Sequence, residues 1–361
     1  MNQKLLTTLT VLSITFTAFL AGYLISQNDF YKSPESTSTG NILDKFSDQT
    51  SSNHPGPEAL LRGQEDLRLL SPRSVASPVL SKDKDSVIYY EKDTGRVFET
   101  TTRDVQEKLV SEVALPNLIK TSWSPSRKEV ISLFYHPSGD YYRYYNYKTK
   151  TSVNLGTAIK SLAFSPDGSR ITYFGSKDGS QGFFISQPDG SSFKKILSSR
   201  LENAEVYWSS EDLIYFKTGA KNGSELYSLS MAGEIKKILN SKDGLEVKWS
   251  RDGSRILFSQ KTELGTELFY KDISSESETS LEVATNASKC DWEMDGKIVV
   301  CGVSRPSSSG DEIYEIGLDG TKKLISSPAQ KLNISELFLS DLDDHVVILN
   351  ALDNKLYVLK K

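Results

Sequence analysis

The sequence predicts an all-β fold, a seven-bladed β-propeller of four-stranded antiparallel blades, in residues 67–361 of the 361-residue chain. Two observations lead to this prediction. One short motif recurs at a nearly constant spacing, and a complete repeat holds four short β-rich runs between Gly, Asp and Ser turns. A period of about 40–45 residues is typical of four-stranded propeller blades. Ahead of the repeats, the sequence predicts a single transmembrane helix and a disordered linker.

The repeated motif is an aromatic or large apolar residue, a serine or acidic turn, and then a β-branched run. Its copies are anchored near residues 80, 123, 164, 208, 249, 292 and 338. The successive spacings are 43, 41, 44, 41, 43 and 46 residues, which predicts seven blades. The first and last copies are degenerate, so six and eight blades remain alternatives. Recurrence at the blade period indicates that the aromatic anchors are structural.

The third repeat shows the predicted strands of one blade. They are Ile159–Phe164, Ile171–Phe174, Gly182–Ser186 and Lys194–Leu197. The turn Pro166–Ser169 separates the first two, because proline presets φ and glycine accepts a positive φ. Three repeats begin the fourth strand with two lysines. Lysines on the outermost strand of a blade disfavour its pairing with a strand of another molecule.

The seventh repeat supplies only three strands before the last residue, at Ile334–Leu339, Val346–Leu349 and Lys355–Leu359. The fourth strand is predicted at the other end of the repeat region, at Leu67–Ser71, whose pattern matches the fourth strand of the sixth repeat. Pairing of this kind closes the ring and removes open sheet edges.

Residues 1–26 are predicted to form an N-terminal signal anchor that crosses the cell membrane once. The uncharged stretch Leu5–Ile25 is 21 residues long, and about 20 helical residues span a bilayer core. A cleaved signal peptide is the alternative, but its apolar core is shorter. Bulky Phe19 stands two positions before Ala21, where a cleavage site needs a small residue, so the uncleaved anchor is favoured.

Residues 27–66 are predicted to be a flexible linker, because they are rich in Ser, Thr, Pro and Gly and poor in apolar residues. Lys4 and the amino terminus precede the predicted span, and Asp29, Lys32 and Glu35 follow it. The positive-inside bias therefore places the propeller on the extracytoplasmic side, by about one charge.

The composition argues against several classes of function. With 43 Lys+Arg against 47 Asp+Glu, the net charge is −4, which disfavours nucleic-acid binding. Two cysteines cannot build a four-thiolate zinc site. Three scattered histidines do not point to a triad or a metal centre: His54, His136 and His345. The sequence predicts no enzyme activity, no catalytic residue, no cofactor and no metal.

Cys290 and Cys301 lie on either side of the turn Glu293–Gly296 in the sixth repeat. Antiparallel pairing across that turn brings them nearly opposite each other. In an exported domain a cross-strand disulfide is the favoured interpretation. Two buried free thiols are the alternative.

Five of the seven residues from 141 to 147, in the second repeat, are tyrosines. Strand alternation puts two sets on opposite faces: Tyr141, Arg143, Tyr145 and Tyr147 on one, Tyr142 and Tyr144 on the other. Packing between blades is the favoured interpretation. The alternative is an exposed aromatic patch that binds a partner or a glycan, formed by Tyr141, Tyr142, Tyr144 and Tyr145.

Two copies of the motif carry a resemblance to a known family. Phe164–Ile171 reads Phe-Ser-Pro-Asp-Gly-Ser-Arg-Ile, and Trp249–Ile256 reads Trp-Ser-Arg-Asp-Gly-Ser-Arg-Ile. Both resemble the WD40-like (PD40) repeat of TolB-type β-propeller proteins, and the resemblance covers residues 67–361. It implies a cell-envelope propeller that binds proteins or peptides. Similar propellers precede prolyl-oligopeptidase-type catalytic domains, but this sequence has no Gly-x-Ser-x-Gly elbow.

The sequence thus predicts a membrane-tethered, exported propeller of the bacterial cell envelope. Its expected role is that of a non-enzymatic module that binds an envelope protein or peptide and no nucleic acid. One alternative is a carbohydrate-active or hydrolytic propeller that uses carboxylates at the channel mouth. A structural envelope component is a further alternative. The sequence specifies neither the partner's identity nor the oligomeric state.

Overall fold

The computed structural model describes residues 67–361 except residues 84, 264 and 306–309. The described residues form 28 strands and one 3₁₀ helix, Ala287–Lys289, arranged as seven four-stranded antiparallel sheets. The seven-bladed propeller prediction is therefore confirmed. The predicted anchor at 1–26 and linker at 27–66 lie outside the described residues. Among the helices of the described part, none has the length and apolar character needed to cross a membrane.

Blades 1 to 3 are each built from four consecutive strands. Blade 1 contains β2 (Val75–Leu80), β3 (Ser86–Glu91), β4 (Val97–Thr101) and β5 (Glu107–Ser111). Blade 2 contains β6 (Leu118–Trp123), β7 (Glu129–Phe134), β8 (Tyr141–Asn146) and β9 (Thr151–Gly156). Blade 3 contains β10 (Ile159–Phe164), β11 (Ile171–Lys177), β12 (Ser180–Ser186) and β13 (Lys194–Ser198). The four strands predicted for the third repeat are all present.

Blades 4 to 6 repeat the same order. Blade 4 contains β14 (Glu205–Trp208), β15 (Leu213–Ala220), β16 (Gly223–Ser230) and β17 (Ile235–Lys242). Blade 5 contains β18 (Glu246–Trp249), β19 (Arg255–Thr262), β20 (Gly265–Asp272) and β21 (Thr279–Ser280). Blade 6 contains β22 (Cys290–Trp292), β23 (Ile298–Ser304), β24 (Asp311–Gly317) and β25 (Lys322–Ser326).

Blade 7 joins the two ends of the described chain. Its strands are β26 (Ile334–Leu339), β27 (His345–Asn350), β28 (Lys355–Lys360) and β1 (Leu67–Ser71). They lie in the order β1-β28-β27-β26, and β1 pairs antiparallel with β28. The closing strand predicted from the sequence is confirmed, since the first described strand completes the last blade.

The first strands line the central channel, since first strands of neighbouring blades contact one another, as β10 does with β14 and β22 with β26. The hydrophobic core lies between the blades. Trp292, at the end of the first strand of blade 6, is fully buried against Leu257 and Leu268 of blade 5. Trp208 of blade 4 packs in the same way on Phe174 of blade 3. The aromatic anchors of blades 2 to 6 therefore recur at the blade period because each packs against the preceding blade, whereas Phe338 of blade 7 packs towards blade 1.

The serine and aspartate of the repeated motif build its turn. Asp167 accepts hydrogen bonds from Ser165 Oγ at 2.6 Å, from Ser169 N at 3.0 Å and from Ser169 Oγ at 2.7 Å. These bonds lower the pKa of Asp167 to about 2. Asp252 makes the equivalent bonds in blade 5, and its pKa is also lowered to about 2.

The turn glycine is required for its backbone and for its size. Gly253 has a φ of +69°, in the left-handed region that other residues rarely adopt. A Cβ atom at this position would lie 2.6 Å from the carbonyl oxygen of Ser209 in blade 4. The turn of one blade therefore rests directly on the turn of the blade before it.

Replacing Leu70 by alanine is expected to lower the free energy of unfolding by about 2–5 kcal/mol, because it opens a cavity in the core. Leu70 is 1% exposed and packs between blades 7 and 1. Its neighbour Leu69 is 42% exposed, so Leu69→Ala is the matched control, with a change within about 0.5 kcal/mol. Equilibrium denaturation of both variants measures the difference, and equal losses would contradict the role given to β1.

The pKa values of Asp167 and Asp252 predict an acid-dependent contribution to stability. Both lie below the ordinary value of 3.8, so the native state favours the carboxylates. Their contribution is present above about pH 4 and is lost as the pH falls towards 2. Replacing both by asparagine should flatten the fall in melting temperature across this window. Asp212→Asn, in the corresponding turn of blade 4, is the control, and a double variant as acid-sensitive as the wild type would contradict the prediction.

Candidate functional site

An aromatic cleft of about 210 Å³ opens between blades 1 and 2. Strands of both blades and the 112–117 connection between β5 and β6 form its walls. Its lining includes Tyr90, Val113, Phe134, Arg143, Tyr145 and Tyr147. The cleft is therefore mainly apolar and aromatic, with one cationic side chain.

Strand alternation along β8 positions the aromatic wall. Arg143 and Tyr145 face blade 1 and line the cleft. Tyr142 and Tyr144 point the other way and pack in the core with Leu162 of blade 3. The two faces predicted from the sequence are therefore present, and the face towards blade 1 presents Arg143 and Tyr145 to the cleft.

The cleft's tyrosines are held by one another. The hydroxyl groups of Tyr90 and Tyr147 lie 3.0 Å apart, within hydrogen-bond distance. The ring of Tyr147 stacks on Trp123 at 5.5 Å and meets the edge of Tyr145 at 4.8 Å. Burial raises the pKa of Tyr147 to about 12 and raises that of Tyr90 as well, so both stay neutral. These contacts hold the aromatic wall in one arrangement, and a preorganised surface lowers the entropic cost of binding.

Arg143 brings the positive charge of the cleft. Its guanidinium lies over the ring of Phe134, 4.2 Å from the ring centroid. Among the described residues, no carboxylate pairs with this guanidinium. An arginine keeps its charge at every physiological pH, and its planar fork binds carboxylates through two parallel hydrogen bonds. The structure therefore offers an aromatic surface beside an available carboxylate-binding group.

The four tyrosines predicted as an alternative partner-binding patch do not form a single surface. Tyr145 lines the cleft, and Tyr141 is half-buried and stacks on Phe134 at 5.4 Å. Tyr142 and Tyr144 are only 3% and 7% exposed, and they offer little surface to a partner. A partner-binding role is therefore kept for Tyr141 and Tyr145 only, since the other two fill the interface with blade 3.

Sequence reasoning missed the half of the cleft that comes from outside the tyrosine run. Val113 and Leu115 reach it from the connection between two blades, and Tyr90 reaches it from β3. The one available signal was the presence of Val113 and Leu115 in a connection between blades, since Val113 is an apolar side chain that is 61% exposed. Arg143 was placed on the correct face but was given no role.

The central channel is the second place where charged groups gather. Lys217 Nζ lies 2.8 Å from Glu205 Oε2. Lys248 Nζ lies 3.4 Å from Asp291 Oδ1 and donates to the carbonyl oxygen of Leu337 at 3.0 Å. Lys248 belongs to blade 5 and Leu337 to blade 7, so this lysine bridges two blades that are not neighbours. Lys248 therefore joins the inner strands of blades 5, 6 and 7, whereas Lys217 and Glu205 pair within blade 4.

Glu336 is the channel carboxylate with the most unusual environment. Burial raises its pKa, and the nearby Lys248 opposes this shift. A raised pKa is what a general acid requires. Asp291 Oδ2, by contrast, already accepts a hydrogen bond from Leu339 N at 2.9 Å. Within the described residues, no group of three or more His, Cys, Asp or Glu side chains could hold a metal ion.

The two cysteines pair directly across β22 and β23, as antiparallel register requires. Their Cα atoms are 4.1 Å apart, their sulfur atoms are bonded at 2.17 Å, and both residues are fully buried. The bridge lies in the core between blades 5 and 6. Whether it forms in the cell depends on the compartment, so the disulfide remains a prediction for the protein in its source.

No family model matches the chain, and no curated protein matches it. Solved structures do. Oligogalacturonate lyase in complex with manganese aligns with a TM-score of 0.59 and 11% identity over 81% of this chain and 92% of that chain. The WD40 repeats of RRP9 align with a TM-score of 0.55 and 12% identity over 82% and 97%. The chain has the fold of a β-propeller. TolB from Acinetobacter baumannii is also similar, with a TM-score of 0.46 and 12% identity over 83% of this chain.

The propeller spans 64% of the length of that TolB chain. At these identities the similarity concerns the fold alone. The similar propellers include a lyase and a WD40 repeat protein. The shared fold is therefore compatible with enzymes and with non-enzymatic proteins, and function has to be argued from the cleft and the channel.

The bond between Cys290 and Cys301 can be tested on protein isolated from its source cells. We expect that iodoacetamide alkylates neither cysteine after denaturation without reductant, and both after reduction, as measured by intact mass. The bridge closes a sequence separation of 11 residues, so reduction should lower the free energy of unfolding by about 3 kcal/mol. A Cys290→Ala, Cys301→Ala variant is the control and should not respond to reductant. Alkylation of both residues without reduction would show free thiols.

Proposed function

We propose that this chain is a non-enzymatic, protein- or peptide-binding propeller of the bacterial cell envelope. In this proposal residues 1–26 anchor it in the cell membrane, residues 27–66 tether it, and the propeller lies on the extracytoplasmic side. The observation that carries the binding function is the aromatic cleft between blades 1 and 2. The cleft is mainly apolar and open to solvent. Its one cationic side chain, Arg143, forms no ion pair with a carboxylate of the described residues.

The composition of the cleft is that of a binding hot spot. Interfaces between proteins are enriched in Tyr, Trp and Arg, and such anchors cluster where a pocket excludes water. Tyr145 and Arg143 supply this chemistry, and Val113 adds an exposed apolar contact at the rim. A protein segment that covers these side chains removes apolar surface from water, which drives association.

The channel supports this proposal over the hydrolytic alternative. Glycoside hydrolysis needs one carboxyl group as an acid and a second as a base or nucleophile. Glu205 and Asp291 are held in ion pairs with lysines, and Asp291 also accepts a backbone hydrogen bond. Glu336 has the shifted pKa of an acid. Glu246, a further carboxylate on a described inner strand, accepts a backbone hydrogen bond from Ser288 N at 3.2 Å.

The location in the envelope is supported by the sequence. The apolar stretch Leu5–Ile25 is long enough to span a membrane, and the repeats resemble those of TolB-type propellers. A disulfide between Cys290 and Cys301 requires an oxidising compartment. The thiol state of the isolated protein therefore also tests export.

The cleft's role is tested with Val113→Asp in the full chain. A charge at this exposed rim position should leave the fold intact but place an unpaired carboxylate against the partner's apolar surface. We expect that proteins crosslinked to the wild type in source cells are recovered with Val113→Asp at one tenth or less of the wild-type yield. Quantitative mass spectrometry of the affinity-purified chain measures this ratio.

Leu342→Asp is the matched control, because Leu342 is also an exposed apolar residue, at 71%, in a turn of blade 7. Its crosslinked partners should match those of the wild type. A partner retained by Val113→Asp would show that binding uses another surface. Absence of any reproducible partner of the wild type would contradict the binding function itself.

A further inference from the structure

We propose that the aromatic cleft binds the carboxyl-terminal residue of a protein chain, with the terminal carboxylate on Arg143 and an apolar side chain against the tyrosines. This inference rests on the proposed binding function and specifies the partner's chemistry. Three observations carry it: the size of the cleft, the placement of its single charge, and the nature of its remaining walls.

The size of the cleft suits about one residue of a ligand. A volume of about 210 Å³ equals that of roughly seven water molecules at about 30 Å³ each. Pockets for whole small-molecule ligands are larger, at about 300–1,000 Å³. The cleft therefore has room for an apolar side chain and the backbone atoms beside it.

The charge of the cleft specifies an anionic group. The guanidinium of Arg143 lies over Phe134 at 4.2 Å, which fixes its plane at the cleft wall. An arginine held by an aromatic ring loses little further freedom when it binds, and its fork matches a carboxylate. No carboxylate among the residues that the structure describes forms an ion pair with the Arg143 guanidinium, so the complementary anion is expected from the ligand.

The remaining walls specify an apolar neighbour for that anion. The rings of Tyr145 and Tyr147 and the side chain of Val113 surround the same space. Only the last residue of a chain carries a carboxylate and an apolar side chain on one α-carbon. An internal aspartate or glutamate would need a second residue to fill the apolar part, whereas a chain end brings both groups on one residue. The geometry thus favours a chain end over an internal acidic segment.

The test uses the full chain and fluorescein-labelled tetrapeptides of sequence Gly-Gly-Ser-X, in which X is Leu, Ile, Val or Phe. Each peptide is prepared as the free acid and as the carboxyl-terminal amide. A third set carries the amide with aspartate in place of the serine. Fluorescence anisotropy measures the dissociation constant of each peptide.

We expect at least one free acid to bind saturably and at least tenfold more tightly than its amide. Arg143→Met keeps an unbranched apolar stem over Phe134 and should weaken binding of the free acid at least tenfold, as expected for loss of a charge-assisted hydrogen-bonded pair. Arg170→Met is the matched control, because Arg170 likewise lies over an aromatic ring, that of Trp208 at 5.5 Å, away from the cleft. It should bind like the wild type.

Three results would overturn the inference: no saturable binding of any free acid, equal binding of acid and amide, or binding unchanged by Arg143→Met. Tighter binding of the aspartate amides would assign the cleft to internal acidic segments instead. Concentration-dependent self-association that Val113→Asp abolishes would assign it to a second copy of the chain. Crosslinked partners lost with Val113→Asp but kept with Arg143→Met would reject the carboxylate while leaving the binding function in place.

Discussion

Ring closure by β1 and β28 is the constraint on which the rest of the structure depends, because the core lies between blades. A blade that lacks a neighbour leaves one apolar face in water. Leu67–Ser71 completes blade 7 at its contact with blade 1, where Val75 N also donates directly to the carbonyl oxygen of Asn354 at 2.7 Å. The same strand also touches blade 1, through Thr100 Oγ1 on the carbonyl oxygen of Leu70 at 3.2 Å and through Ser71 Oγ on the hydroxyl of Tyr89 at 2.8 Å. The strand that closes the ring therefore also contributes to the packing between blades 7 and 1.

The aromatic cleft arises where this packing is least complete. Between blades 5 and 6, the interface holds fully buried Trp292 and the two cysteines. Between blades 1 and 2, Trp123 occupies the equivalent anchor position but is only half-buried. Fewer buried side chains fill that interface, and the tyrosines of β8 line the space that remains. The candidate binding site thus lies where one interface of the repeat is less completely filled, without a change of fold.

Much of the fold could be predicted from the sequence because it depends on local spacing. The motif period gives the blades, turn chemistry gives the hairpins, and the register of Cys290 and Cys301 follows from the turn between them. The candidate site could not be predicted in the same way. It depends on how far apart two blade faces stand, and on the absence of a described carboxylate near Arg143. Similarly, no sequence pattern indicates that Lys248 reaches blade 7.

The position of β1 has a mechanical consequence. A pulling force applied from the N-terminal side of the chain enters the propeller at Leu67, the first residue of that strand. The load falls first on the hydrogen bonds between β1 and β28 and on Arg68, which donates to the carbonyl oxygen of Thr102 in blade 1. The strand that closes the ring is therefore also the first strand to be loaded, so the pairing of β1 with β28 sets the propeller's resistance to force.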